Sequence, residues 1–509
     1  MVTLAWSRDS THVMQIPRFF SIYQKLGRRP GRKVYCWPRL YSRDALTGSL
    51  FPWHSSASIM ECMKTPTSHP RLRAGMVGVG MIFEETYWPF FQQVHARPLY
   101  RRDTQAVEVE LVGLVSRTGS RAVTYVEQAQ RLGLPPLVSY TGEQGLSRLL
   151  ADAIDVVCIA TPDDRHFQAA RQALAAGKHV LIEKPSVLSL QELDELCGLA
   201  QKNGVLARVV YHKLADPDHK KLRTHVYDGI LQHVNNGYCS LLEPRSISGQ
   251  QFAEWITGRN PATYVAVHYI KLIDFTFGSP WQPGADPSLG TIPWRLDRIE
   301  ATGQRGIVSA SQSNTWDSVQ LRMVYRYADG REAAFDIHTS WVNPDNFPGY
   351  VEQEVQFRFD NGIWLAHQRK RGVELTVEGR SPGEFKYTPN HHYNGKFLEP
   401  WNERSQRGYG IEIIERFFEE VAIVEYGGPA DQRAERLQRV RHLDHAALEA
   451  DRPTVAVVQA LEAILRRAAV GEPSCVVRVQ DAKGGLVLYA PGKSEPEILY
   501  SESVYPNLP

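Results

Sequence analysis

Residues 154–185, IDVVCIATPDDRHFQAARQALAAGKHVLIEKP, constrain the fold of this chain more than any other stretch. Val156 to Ala160 reads as a buried strand, Thr161-Pro162 as a turn, and about Asp164 to Ala176 as a helix. A second apolar strand, His179 to Ile182, runs into Glu183-Lys184-Pro185. Strand, helix and strand with both strands apolar make a βαβ crossover, the unit of a parallel sheet with helices on its faces. Ligands of such sheets sit at the carboxyl ends of the strands. A Glu-Lys pair closed by proline at that end therefore reads as a site rather than as packing.

The same alternation extends on both sides. Leu72 to Val79, Val107 to Val115 and Leu137 to Tyr140 read as strands, and Thr118 to Leu132 and Gly145 to Leu150 as helices. Ser189-Leu-Gln-Glu192 is a capping box opening another helix, stopped by Gly204, and Val205 to Tyr211 is a sixth strand. Six β/α alternations predict an α/β fold: a doubly wound Rossmann dinucleotide-binding domain over residues 71–211. After Tyr211 the pattern changes to helices near Pro217 and Thr263 and to long alternating segments (298–301, 318–327, 332–340, 352–359). Hairpin turns at Ala328-Asp-Gly330 and Asp360-Asn-Gly362 connect them. They predict an α+β domain with a large, mostly antiparallel open sheet over 212–475. Residues 476–509 read as a loosely attached C-terminal tail. Residues 1–70 read as a basic N-terminal extension, expected to be poorly ordered, in which Asp9, Asp44 and Glu61 are the acids.

At 509 residues the chain exceeds one compact core. A net charge of +2 leaves no basic field to neutralise phosphates, which excludes nucleic acid as the expected partner. The six cysteines show no CxxC pair and no metal-ligand spacing. That usage fits a reducing compartment, and the cytoplasm is the expected location. No apolar run approaches the length of a membrane helix.

Gly78-Val79-Gly80-Met81-Ile82-Phe83 matches GxGxx and then places Phe83 where the third glycine of a dinucleotide motif stands. The glycines permit a tight turn and close approach to a pyrophosphate resting on the helix N-terminus, so Gly78, Gly80, Met81 and Ile82 are expected to bind cofactor. An NAD-specific pocket usually has a carboxylate at the tip of strand two. Here the tip is Ser116-Arg117-Thr118. A hydroxyl and a guanidinium suit a 2′-phosphate, so NADP is the expected cofactor and NAD the alternative.

With these residues in place, the chain over roughly 71–475 resembles the Gfo/Idh/MocA oxidoreductases, the family of glucose–fructose oxidoreductase and inositol 2-dehydrogenase. The resemblance rests on Ile159-Ala-Thr161-Pro162, His166, Ala176-Gly-Lys-His-Val180 and Glu183-Lys184-Pro185. It implies that Lys184 lies beside the nicotinamide and the substrate hydroxyl, that Glu183 touches the nicotinamide ribose, and that Thr161, Pro162 and His166 line the cofactor site. The family's Asp-x-x-x-His on the first long helix of the substrate domain is here Tyr264-Val-Ala-Val-His268, and its aspartate three residues later is Lys271. Tyr211-His-Lys213-Leu214 stands at the family's pocket edge. The resemblance also implies homo-oligomer contacts through the open sheet.

Oxidising a secondary alcohol needs a hydride acceptor, a base for the hydroxyl proton and orientation of the carbinol hydrogen. Lys184 orients and activates the hydroxyl, with His268 or Tyr264 as proton carrier; the two lie at i, i+4 on one helix face. Lys213, Trp255, Arg259, Asn260, Trp341 and His392 are the expected substrate contacts, and no metal is expected, since adjacent histidines at 391–392 on extended chain point apart. The expected function is hydride transfer between NAD(P) and a secondary alcohol or ketone of a sugar, cyclitol or related polyhydroxy compound. An NAD-dependent glycosidase of the same fold and a non-catalytic cofactor-binding regulator are the alternatives.

Overall fold

The first sheet is built from β1 (Arg71–Val77), β2 (Leu99–Arg101), β3 (Gln105–Ser116), β4 (Val138–Thr141), β5 (Val156–Ile159), β6 (His179–Glu183) and β7 (Ala207–Val210). Its parallel strands run β4-β3-β1-β5-β6-β7, and β2 folds back antiparallel on the start of β3. Between strands lie α1 (Trp88–Ala96), α2 (Ser120–Arg131), α3 (Gly145–Ala151), α4 (His166–Ala175) and α5 (Leu190–Lys202). β5 and β6 are buried along their whole length because helices cover both faces. The strand order reverses at β1, whose neighbours are β3 and β5, and this reversal opens a crevice at the carboxyl ends. The structure describes residues 69–246, 256–277, 294–308, 315–344, 351–367, 392–400, 404–443, 446–480, 485–502 and 504. The N-terminal extension up to residue 68 and Trp255 thus lie outside the described residues.

Local signals explain the boundaries. Ser189 accepts the amide of Glu192 at 3.3 Å while the Glu192 carboxylate accepts the amide of Leu188 at 3.2 Å, a reciprocal pair that fixes the α5 start. Gly133, at φ +66°, ends the α2 segment in the left-handed region. Phe83, in place of a glycine, is fully buried edge-on against Tyr125 at 4.8 Å. The helix after the glycine turn begins there as a π-turn, Phe83–Tyr87, before continuing as α1.

The rest comprises α6 (His212–Ala215), α7 (Pro217–Tyr227), β8 (Val234–Pro244), a π-turn at Ala262–Ala266 leading into α8 (Val267–Phe277), and β9 (Trp294–Gln304). Then come β10 (Ser318–Tyr327), β11 (Glu332–Asn343), β12 (Glu352–Phe359), β13 (Ile363–His367) and a small ribbon of β14 (Gly395–Leu398) and β15 (Arg404–Arg407). Helices α9 (Tyr409–Tyr426), α10 (Arg433–Leu443) and α11 (Arg452–Ala469) precede β16 (Val476–Gln480), β17 (Gly485–Tyr489) and β18 (Glu497–Tyr500). The second sheet has nine strands in the order β13-β12-β8-β11-β10-β9-β16-β17-β18. Only β8 and β11 are parallel neighbours. Phe277, Trp294, Tyr325, Phe335 and Phe357 pack together beneath α8, with Trp294 and Tyr325 stacked at 4.1 Å.

The architecture is therefore the expected one, with three corrections. The segment from 476 is no loose tail: Val477 pairs with Ile299 of β9, and β17 and β18 extend the sheet. The central strand β8 escaped the sequence pattern because Asn235, Asn236 and Gly237 interrupt its apolar alternation. Gly237 is needed there, since a Cβ would lie 2.4 Å from Phe357 and 2.7 Å from Phe335 on the flanking strands. Finally, α9 and α10, which fall in the 212–475 range expected for the second domain, pack on the first sheet. Phe418 stacks on Phe90 at 5.1 Å, and buried Arg208 of β7 reaches Glu420 at 2.8 Å and the Val440 carbonyl at 3.0 Å.

Candidate functional site

The carboxyl ends of β1, β5 and β6 converge on one crevice. Gly78, at φ +98°, brings the β1 turn so close to β5 that a Cβ would sit 2.2 Å from the Ala160 carbonyl oxygen. Gly80 next to it faces open space. At the end of β5 the hydroxyl of Thr161 is buried without a hydrogen-bond partner. His166 is buried and bridges the Thr161 carbonyl at 2.8 Å and the Pro185 carbonyl at 2.7 Å. Its ring thus ties the ends of β5 and β6 together, with both ring nitrogens taken up by backbone carbonyls. At the tip of β3, Ser116 Oγ accepts the Gly119 amide at 3.1 Å and shapes the turn, which leaves Arg117 exposed.

β6 delivers Glu183 and Lys184, and the Lys184-Pro185 peptide bond is cis. Lys184 Nζ donates to the carbonyl of Tyr264 at 2.9 Å and lies 4.1 Å above the Tyr264 ring. Burial lowers the Lys184 ammonium below the ordinary lysine value, against the pull of Glu183, Glu243 and Asp163. The Glu183 carboxylate turns the other way, to the Tyr87 hydroxyl at 3.2 Å and His212 Nε2 at 3.6 Å. Burial alone would raise that carboxyl, but His212, Lys184 and His166 together hold it below its usual value. Glu183 is thus buried and engaged by Tyr87 and His212.

The π-turn of 262–266 and the first turn of α8 supply the opposing wall. Tyr264 presents its ring to Lys184 and to Trp341 at 6.3 Å. His268 points to Tyr211 and His212, both at 6.3 Å between ring centroids. It is buried, its Nδ1 has no hydrogen-bond partner, and burial with the charges of Lys184, His212 and Lys213 keeps its imidazole neutral well below the usual range. Lys184, Tyr264 and His268 are thus brought to one place. The Lys213 ammonium meets Gln353 and lies 5.8 Å over the Tyr409 ring at the same edge.

Other expected contacts are used differently. Asn260 is a helix cap: its carbonyl takes the Thr263 amide at 2.7 Å and its NH₂ goes to Glu462 at 2.7 Å and Thr263 Oγ1 at 3.1 Å. Trp341 has no exposed surface and donates its indole N–H to Glu243 at 2.8 Å, so it backs the pocket instead of stacking on a substrate. Arg259 bridges Asp163 at 3.1 Å and Asp164 at 2.8 Å, locking the second lobe to the β5–α4 turn. The His392 side chain is exposed; it is the neighbouring Tyr393 that packs edge-on against His212 at 5.5 Å and bonds Thr86 at 2.9 Å. Among the described residues, no group of three or more His, Cys, Asp or Glu is arranged to hold a metal ion, and no helix is long and apolar enough to cross a membrane.

Sequence reasoning missed Glu243 and His212. Glu243 lies at the end of β8, where an acid closing the apolar run Tyr238–Leu242 was the available signal. Burial raises its carboxyl to about 7, against the Trp341 hydrogen bond and the Lys184 charge. Between the ordinary carboxylate range and that value the unfolded chain ionises while the folded chain stays protonated, so stability falls as pH rises through this window and levels off above it. Glu243→Gln keeps an acceptor for Trp341. At pH 8 it is expected to raise the unfolding free energy by up to about 3 kcal/mol, a gain that vanishes near pH 4. Urea unfolding at the two pH values measures it.

Residues 72–211 match the family described as oxidoreductase family, NAD-binding Rossmann fold. The chain is 22% identical over 334 residues to dTDP-3,4-didehydro-2,6-dideoxy-alpha-D-glucose 3-reductase of Actinomadura kijaniata, covering 64% of this chain and 93% of that protein. It is 25% identical over 221 residues to D-glucoside 3-dehydrogenase of Escherichia coli (strain K12), a match spanning 43% of this chain and only 57% of that one. Two solved structures share the fold. GenD2 from gentamicin A biosynthesis in complex with NAD has a TM-score of 0.53 at 18% identity, covering 82% of this chain and 99% of its own. The inositol dehydrogenase homolog complexed with NADH and myo-inositol from Azotobacter vinelandii has a TM-score of 0.51 at 16% identity, covering 81% and 98%.

Proposed function

We propose that this chain is a Gfo/Idh/MocA-type oxidoreductase and transfers a hydride between NADP and a secondary alcohol or ketone of a sugar, cyclitol or related polyhydroxy compound. The observation that carries the reading is the convergence of half-buried Lys184 with the Tyr264 ring and with a neutral, buried His268 whose Nδ1 has no hydrogen-bond partner among the described residues. The crevice fits a dinucleotide: Gly80 leaves room for close approach, and the unpartnered Thr161 hydroxyl offers a polar contact. Glu84 and Glu85 in the first helical turn bring negative charge to the end a pyrophosphate would occupy, which weakens the cradle without closing it.

The nicotinamide supplies the hydride acceptor or donor when bound. Lys184 holds the substrate hydroxyl by a hydrogen bond and, in the oxidation direction, receives its proton as a neutral amine. Glu183, Glu243 and Asp163 set the charge around Lys184, and His212 in turn acts on Glu183. His268 relays that same proton at Nδ1, taking it from Lys184 in oxidation and returning it in reduction, and Tyr264 closes the wall against water. The relatives named as sugar reductases and dehydrogenases support a polyhydroxy substrate. The polar face of the nine-stranded sheet is the proposed homo-oligomer surface.

Fluorescence titration with NADPH and NADH tests the cofactor. NADPH is expected to bind more tightly than NADH by about tenfold or more, and Arg117→Asp to remove or reverse that preference, since one charge-assisted phosphate contact contributes about 1.5–3 kcal/mol. Equal affinities would refute the assignment of Arg117. NAD that stays bound through purification, with glycoside cleavage and no net change in reduced nicotinamide, would favour the glycosidase.

A further inference from the structure

A second pocket opens between α7, α8 and α9, with a volume of about 290 Å³, against the roughly 30 Å³ that one water occupies in the liquid. Leu214, His219, Lys220, Arg223, Thr276 and Arg416 are among its lining residues. Lys220 and Arg416 are both paired to Glu412. Arg223 is different. It lies 3.2 Å over the Phe275 ring and donates to the Phe275 carbonyl at 2.6 Å, but has no carboxylate partner among the described residues. Unopposed burial draws its guanidinium down to about 9. A half-buried cation with no counter-ion among the described residues still bears part of the desolvation cost, and a guanidinium has further N–H groups to give. Beside it the Thr276 hydroxyl is buried with no hydrogen-bond partner, in a residue only 5% exposed.

We infer that this pocket is a second ligand site and that it takes a phosphoryl group. Its donors approach from three directions: the guanidinium from α7, the hydroxyl from α8 and the Arg416 side chain from α9. A phosphoryl group offers three acceptor oxygens and a charge near −2 to meet them, whereas a carboxylate offers two oxygens and one charge. Leu272 and Thr276 follow His268 on α8 by four and eight residues, so the pocket lies about 6–12 Å along the helix from the proposed hydride-transfer site. The phosphoryl group is therefore either a free phosphate or the phosphorylated arm of a substrate.

Calorimetric titration of the full chain with inorganic phosphate, at constant ionic strength in chloride, tests the site without requiring any turnover. Its failure is thus separable from that of the hydride-transfer reading. Wild type is expected to bind one phosphate saturably, Arg223→Gln at least tenfold more weakly, and Thr276→Val several-fold more weakly. Absence of saturable binding, or unchanged affinity in Arg223→Gln, overturns the inference. If Arg223→Gln does not fold, Thr276→Val and Arg416→Gln decide by the same comparison. UDP-glucose is the probe for a phosphorylated arm. Its displacement of phosphate, weakened in Arg223→Gln, assigns the pocket to a substrate, while phosphate binding that UDP-glucose leaves untouched assigns it to the free ion.

Discussion

Replacing Lys184 by alanine is expected to lower turnover by about 10³-fold or more while the fold and the affinity for nicotinamide cofactor are retained, because a positioned proton-transfer group contributes about 10²–10⁴-fold and its hydroxyl-orienting bond adds to this. The side chain holds few structural duties. It gives one hydrogen bond to the Tyr264 carbonyl and a cation–π contact with the same residue. Its charged form is already disfavoured by burial, so its removal relieves a desolvation cost as it loses those contacts. The pH dependence carries a sign. In oxidation the neutral amine is the acceptor, so kcat/KM rises with pH up to an ionisation below the ordinary lysine value; in reduction the ammonium is the donor and the rate falls over the same range. Steady-state rates in both directions, with circular dichroism and cofactor titration of the variant, check this. A variant that keeps full turnover would remove Lys184 from the chemistry, and a wild type with no turnover on any polyol or sugar would favour the regulator.

The second large effect concerns stability. Asp451→Ala is expected to destabilise the protein by about 3–5 kcal/mol, the typical result of leaving one member of a buried pair alone. Asp451 is fully buried and accepts the Ser186 hydroxyl at 2.5 Å and the Tyr211 hydroxyl at 2.7 Å, with Lys271 Nζ at 3.9 Å. Ser186 follows β6, Tyr211 follows β7, Lys271 belongs to α8, and Asp451 itself caps α11. One carboxylate thus joins the nucleotide-binding sheet to the helices of the second lobe. Truncating it leaves the buried Lys271 ammonium with the Ala450 carbonyl but without its counter-ion. Adding Lys271→Met to Asp451→Ala should recover a large part of the loss, since an apolar side chain needs no partner there. Urea unfolding of the four proteins in the cycle measures the coupling. Equal losses in the single and double variants would show that the hydroxyl bonds, not the charge pair, hold the joint.

Lys271 also shows where reading by resemblance stops. Its position is that of a family aspartate at the substrate, yet its side chain is turned to Asp451 and the Ala450 carbonyl, away from His268. The neighbouring exchange behaves differently. Tyr264 does reach the site, through the π-turn that sets its ring under Lys184. Both substitutions stand on one helix, and spacing alone cannot tell which face is spent on packing.

The doubly wound domain was legible because its evidence is local. Apolar runs of strand length, glycine turns and capping boxes depend on neighbours within a few residues, and the crossover from Val156 to Glu183 states its own topology. Lys184 was legible for the same reason, being fixed at the carboxyl end of a buried strand. Tertiary structure alone decided the rest. Glu243 and His212 acquire their role by meeting Lys184 and Glu183 from other elements, β8 becomes central through two phenylalanines that Gly237 admits, and residues 476–500 become sheet because β9 offers a free edge. Asn260 and Trp341 carried promising side chains whose polar atoms were already taken by Thr263, Glu462 and Glu243. A sequence records which groups can donate, accept or carry charge. Which partner each one meets depends on contacts far apart in the chain, and burial then sets the charge each group keeps.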